Sequence, residues 1–176
     1  MEMTPFWQQI NVTSLAQGDL LPRCLVPQFE PDYGHGGADD VREVPVGEAD
    51  LIIVTQTCDL ANNKVALVAL CPIHTLKEFE KQNEKFKQKG RWEEVRKGRY
   101  EGLHMLASPD HPENNHEALV VDFGQIFSLP PSYLQHRAQE IGARWRLASP
   151  FLEHFSQAFA RYFMRVGLPS SIPAFK

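Results

Sequence analysis

Residues 51–73 read LIIVTQTCDLANNKVALVALCPI, and their hydrophobic pattern decides the fold class. Leu51 to Val54 form one β-rich apolar run, and Val65 to Leu70 form a second. Short apolar runs of this kind favour strands. The DLANNK stretch between them supplies turn residues, with the bend expected at Asn62-Asn63 and Pro72 closing the unit. This strand–turn–strand unit is the clearest β signal in the chain.

Upstream, QGDLLPRCLVPQF places a turn at Gly18-Asp19 and a strand from Leu20 onward. Pro22 and Pro27 each lack an N–H for a ladder, which predicts an edge strand. Residues 30–48 are rich in Gly, Asp and Pro and read as a mobile loop, with His35 as an exposed loop histidine rather than a metal ligand. Downstream, residues from about 74 to 100 are charged and rich in helix formers. Leu76, Phe79 and Phe86 give a thin apolar stripe, and Lys77 and Lys81 face Glu80 and Glu84 at helical spacing. The expectation is one helix or two short ones on the surface, inserted between sheet elements and anchored by Trp92 and Tyr100. Its basic side chains are either a nucleic-acid contact or a solvated face. GLHMLASP predicts a strand, ALVVDFGQIFSLP two strands joined at Asp122 to Gly124, and residues 132–142 a helix.

Ser149-Pro150 places a cap residue before proline at the expected first helical position. Phe151, Leu152, Phe155, Phe159, Tyr162, Phe163 and Val166 then recur at intervals of three and four, predicting a deeply buried amphipathic helix stopped by Gly167 and Pro169. His154, Arg161 and Arg165 share another face of that helix. They suit a phosphate or a carboxylate, or equally an ordinary polar face.

The 176 residues fit one domain, and a hydrophobic fraction of 43% supplies a core. A formal net charge of −4 gives no global attraction to nucleic acid or anionic membrane. Three scattered cysteines make no disulfide framework and suit a reducing compartment. The opening residues lack a signal-peptide pattern and no apolar run approaches membrane-spanning length, so the expectation is a cytoplasmic protein with no membrane partner. Nucleotide-cradle, HExxH and GxSxG motifs are absent.

The string Thr55-Gln56-Thr57-Cys58-Asp59 puts polar groups at the end of a hydrophobic strand. Such groups either bond to neighbouring backbone or line a site. Cys58 is a candidate nucleophile if a base such as His74 or His104 lowers its thiol pKa. Asp59 and Asp122 are candidate paired carboxylates, acting as acid and base or around a divalent metal. In the structural reading Cys58 is a core thiol and Asp59 caps the turn. Cys24, Cys58, Cys71 and His74 are donor types that zinc accepts, but only CPIH has motif-like spacing and no CxxC knuckle is present, so no metal is expected.

Four pieces taken in order resemble the growth-inhibitor toxin family typified by MazF, PemK and Kid. They are QGDLL followed by Arg23, the LIIVTQTCDLANNKVALVALCPI unit, VVDFGQIFSLP, and the terminal helix ending MRVGL. The resemblance implies a small, partly closed, antiparallel SH3-like β-barrel with helices attached, here carrying the charged insertion and the C-terminal helix. It further implies a metal- and cofactor-free endoribonuclease acting on single-stranded RNA, an antitoxin or other protein partner, and a homodimer. By position, Arg23 falls near the catalytic arginine region, with Asp59 and His104 as candidate bases. Thr55, Gln56, Thr57, Arg161 and Arg165 fall to RNA contact. No arginine stands between Asp122 and Pro130, where Kid-type members carry one. The competing expectation is therefore a catalytically inactive protein-interaction module of a prokaryotic defence or mobile-element system.

Overall fold

The computed structural model describes residues 5–31, 33–34, 37, 41 and 43–164. His35, Arg165, Gly167 and Pro169 lie outside the described residues.

The central unit forms as an antiparallel pair, β3 (Val46–Ile53) and β4 (Val68–Thr75), with Leu51 opposite Pro72 and Ile53 opposite Leu70. Three differences from expectation appear here. The last residues of the expected 30–48 loop are already strand, since β3 begins at Val46. The connection opens with a short helix, α1 (Thr57–Ala61), before the bend at Asn62 and Asn63, where Asn63 takes φ 50°. Pro72 does not close β4, which runs on to Thr75. On one flank β4 pairs with β7 (Phe127–Leu129) through residues 68–70 and with β6 (Leu119–Asp122) through residues 73–75. Pro72 falls between those two ladders, where a missing N–H is tolerated. The expected strand pair joined at Asp122 to Gly124 thus lies end to end along β4.

β2 (Leu20–Pro27) pairs with β3 and bulges between Leu21 and Cys24, where Arg23 adopts φ 53°. β5 (Leu103–Leu106) pairs with the other edge of β6. The larger sheet therefore runs β2-β3-β4-β6-β5, with β7 also on β4. A second, two-stranded sheet joins β1 (Trp7–Ile10) to β8 (Arg144–Leu147). Its link to β2 is a single bridge between Asp19 and Arg146.

Neither sheet closes. β2 and β5 are the two free ends of the larger one, so the expected SH3-like barrel is not formed. The implied membership of the MazF, PemK and Kid family loses its structural basis with it. β2 is an edge strand of the larger sheet, as its prolines predict.

The charged insertion forms α2 (Leu76–Gln82), a 3-10 turn (Glu84–Lys87) and α3 (Arg91–Arg96). A capping box starts α2: Thr75 Oγ1 accepts from Glu78 N, and the Glu78 carboxylate accepts from Thr75 N. The segment builds a core of its own, in which Phe86, Phe79 and Val95 are buried with Leu103 and Val120 of the sheet. Trp92 and Tyr100 close over it, each ring centred 5.1 Å from that of Phe86.

α4 (Pro131–Ile141) covers the face formed by Leu21, Val26, Leu51 and Leu70. α5 (Phe151–Phe163) covers the opposite cluster around Ile52, Ile73, Val121 and Phe123. The deep burial expected of α5 is not found: Phe155 is fully buried, while Leu152, Phe159 and Tyr162 are half-buried and Phe163 is 55% exposed. Ser149 does not cap it. Pro150 occupies the cap position without a side-chain cap bond, and the Ser149-Pro150 peptide is cis. Among the described residues no helix is long and apolar enough to cross a membrane.

Candidate functional site: an arginine cleft beside the TQTCD turn

In β8, Arg144 and Arg146 are two residues apart and share one face of the strand, while Trp145 and Leu147 join the core beneath α5. Both arginines converge on Asp19, which is wholly buried. Asp19 Oδ2 accepts from Ala16 N at 3.1 Å, from Arg144 Nε at 3.2 Å and from Arg144 Nη2 at 2.9 Å. Arg146 donates Nε to Asp19 Oδ1, and Nη2 to Oδ2 at 3.0 Å. Arg144 is completed by carbonyls, with Nη1 to Val12 O at 2.5 Å and Nη2 to Ser14 O at 2.7 Å.

Two guanidiniums on one carboxylate leave an excess of one positive charge. A buried charge without a counter-ion is costly, so where the excess meets solvent matters. Arg144 is sealed in, whereas the Arg146 side chain is 17% exposed. Arg146 Nη1 has no hydrogen-bond partner among the described residues. The guanidinium lines a cleft of about 350 Å³ together with Ser14, Thr57, Asn63, Pro131 and Gln135. No acidic side chain lines this cleft among the described residues. Pro131 opens α4, whose first turn has neither a capping side chain nor an acidic residue.

The TQTCD string divides between architecture and this cleft. Thr55 Oγ1 accepts from Ala69 N at 2.8 Å and pins the turn to β4. Thr57 Oγ1 accepts from Gln17 N at 3.1 Å, and its own O–H remains a donor at the cleft wall. Gln56 is exposed and makes no cap bond. Cys58 is exposed rather than a core thiol, with Gln56 Oε1 at 3.7 Å and Asp59 Oδ1 at 3.8 Å, and among the described residues no histidine is one of its polar contacts. Asp59 lies 3.9 Å from Lys64.

The remaining candidates lie apart. Arg23 forks onto Glu48 at 2.9 and 3.0 Å, and its backbone N–H donates to Asp50 at 2.8 Å. That guanidinium holds the Glu48 carboxyl below its usual range. His104 lies against Phe123 and Phe155, and burial, aided by the charge of His154, pushes its pKa down to about 4. Arg23, Asp59 and His104 therefore share neither a contact nor a cleft. Arg161 joins His104 in a second cleft, of about 260 Å³, between β5 and α5. Asp122 does not meet Asp59; it accepts from Gly124 N and Gln125 Nε2 within its own turn. Burial pushes the Cys24 thiol up to about 11 and the Cys71 thiol up to about 12. The two thiols sit in different core clusters. His74 Nε2 is buried and has no hydrogen-bond partner among the described residues. Among the described residues no three His, Cys, Asp or Glu side chains group to hold a metal.

Sequence reasoning missed Asp19, Arg144 and Arg146. The RWRL alternation is a signal that two cations share a face, but nothing local names their partner. Comparison of the chain with protein-family models, with curated proteins and with solved structures found no match. With that result and with open sheets in place of the barrel, the toxin-like, RNA-cleaving reading and the alternative tied to it are set aside.

Proposed function

We propose that this chain is a binding module for a small molecule presenting a carboxylate or phosphate group, held at Arg146 in the cleft beside Thr57. The observation that carries the reading is the uncompensated charge: one buried carboxylate serves two guanidiniums, and the outer one lines an acid-free cleft. Asp19 fixes the guanidinium in place, so little side-chain entropy is lost when an anion binds. The Thr57 hydroxyl and the amides of Asn63 and Gln135 are neutral donors around it. Leu15, Leu60 and Val65 supply an apolar wall for the body of the ligand. A cytoplasmic setting is part of the proposal, because three unpaired thiols suit a reducing compartment.

The test is a titration of the isotopically labelled protein with inorganic phosphate and with acetate, followed at the Arg146 Nε–H and Thr57 amide resonances. Saturable shifts with at least one anion are expected. Gln135 is exposed, so Gln135→Glu should fold normally and place a negative charge at the cleft. The variant should bind at least tenfold more weakly. No saturable shift, or equal affinity in Gln135→Glu, refutes the reading.

A further inference from the structure

The second cleft has a different chemistry. Alternation along β5 sends Leu103 and Met105 into the core of the insertion, and His104 and Leu106 toward α5. The His104 ring lies nearly parallel to Phe123, with centroids 6.0 Å apart and planes at 19°. Behind it the buried Phe123 packs on Phe159 at 5.3 Å and on Tyr162 at 6.3 Å, and Tyr162 itself lines the cleft. His104 is neutral at pH 7, because its pKa is depressed to about 4. It therefore adds a flat polar ring to the cleft and not a charge.

Charge enters from the helix. His154 and Arg161 both line the cleft and stand seven residues apart, on one face of α5. Arg161 makes no ion pair and no side-chain hydrogen bond with a described residue. Two other cations line the cleft, Arg96 and Lys97, and both are engaged by Glu93, at 2.7 and 3.1 Å. Glu101 is the carboxylate of the lining. At the mouth, Gly102 adopts φ +89°, and a Cβ there would stand 3.0 Å from Tyr162 Cε2. Glycine at this position lets the tyrosine ring lie against the strand.

From this arrangement we infer that the cleft between β5 and α5 is a second binding site, for a single planar aromatic ring carrying one negative group. The ring is received by His104 and Tyr162, backed by the buried Phe123, and the anion by Arg161, with His154 further along the same helix face. A volume of about 260 Å³ is at the small end for ligand sites and admits one ring rather than a fused or extended system. Stacking on aromatic faces favours a flat ligand over a puckered one of equal size.

The experiment titrates the whole chain at pH 7 with benzoate, cyclohexanecarboxylate and benzamide, followed at the ring protons of His104 and Tyr162. These residues do not line the Arg146 cleft, so binding there leaves this readout unmoved. Benzoate should give saturable shifts. Cyclohexanecarboxylate, lacking the flat ring, and benzamide, lacking the charge, should each bind at least tenfold more weakly. Arg161 is exposed, and Arg161→Gln should weaken benzoate tenfold or more without changing the melting temperature. Absence of saturable shifts with benzoate overturns the assignment. So does equal affinity for either analogue, or an Arg161→Gln protein that binds benzoate as the wild type does.

Discussion

His104 makes stability depend on pH in a way that can be worked out before measurement. Its folded pKa is about 4, because burial and the neighbouring His154 disfavour the imidazolium. In the unfolded chain it returns to about 6.5. The unfolded state therefore takes up this proton first as pH falls. The contribution is fully present above about pH 6.5 and is lost progressively as pH drops toward 4. Between pH 7 and pH 5 the loss comes to about 2 kcal/mol, and its limit below pH 4 is about 3 kcal/mol. That is a large share of the roughly 5–15 kcal/mol that holds a typical domain together. Arg96, Lys97, Glu101, His154 and Arg161 line the same cleft, and His74 also has a depressed pKa, so other groups add to the raw pH profile. His104→Phe isolates the contribution by keeping a flat ring against Phe123 while removing the titration. Urea unfolding of both proteins at pH 7 and pH 5 is the assay. The wild type should lose about 2 kcal/mol more than the variant over that interval. Equal losses would show that His104 is not held neutral by its surroundings, and the reasoning would fail.

Two further outcomes follow from the packing. Asp19→Asn removes the one carboxylate between two guanidiniums and should cost about 3–5 kcal/mol in urea unfolding at pH 7, as for breaking a buried ion pair; a loss under 1 kcal/mol would show that the carbonyls of Val12 and Ser14 suffice. Phe86→Ala empties the centre of the insertion's core and should cost about 3–5 kcal/mol with a change in Trp92 fluorescence, whereas an insertion that merely decorates the surface would lose almost nothing.

Elements with local signals were legible. The β3–β4 unit, the edge character of β2, the broken helices of the insertion and the helix over residues 131–141 all follow from patterns within a dozen or so residues. Closure was not legible, because it depends on edges that meet far along the chain. Trp7 pairs with Leu147, and β1 carries no strand signal beyond a few residues. The phenylalanines of α5 have helical period, but period reports which face is apolar and not how much of it is covered. A cleft runs beside that helix, and Phe155 alone is fully enclosed. The thin stripe of Leu76, Phe79 and Phe86 misled in the opposite sense, because those side chains meet Leu103 and Val120 from another part of the chain.

The site turns on the same distinction. Asp19 reads as a turn residue in QGDLL, and its guanidinium partner Arg144 is 125 residues away. Arg144 puts two donors on Oδ2 of this carboxylate and ties down the carbonyls of Val12 and Ser14. Oδ1 receives its hydrogen bond from Arg146, which bridges both carboxylate oxygens and is also the arginine that reaches the cleft. Thr57 is brought to the same cleft by Gln17, whose backbone N–H donates to its hydroxyl. The Gln17 side chain donates to Val54 O at 2.9 Å and accepts from Ser156 Oγ at 3.0 Å. Ser156 lies on α5, between His154 and Arg161. One glutamine therefore sets the wall of the arginine cleft from the strand end and from the helix that borders the aromatic cleft. The positions of Thr57 and of α5 are thus linked by hydrogen bonds through Gln17, in addition to the core that α5 shares with Trp7 and Leu147 of the smaller sheet and Ile52, Ile73 and Val121 of the larger.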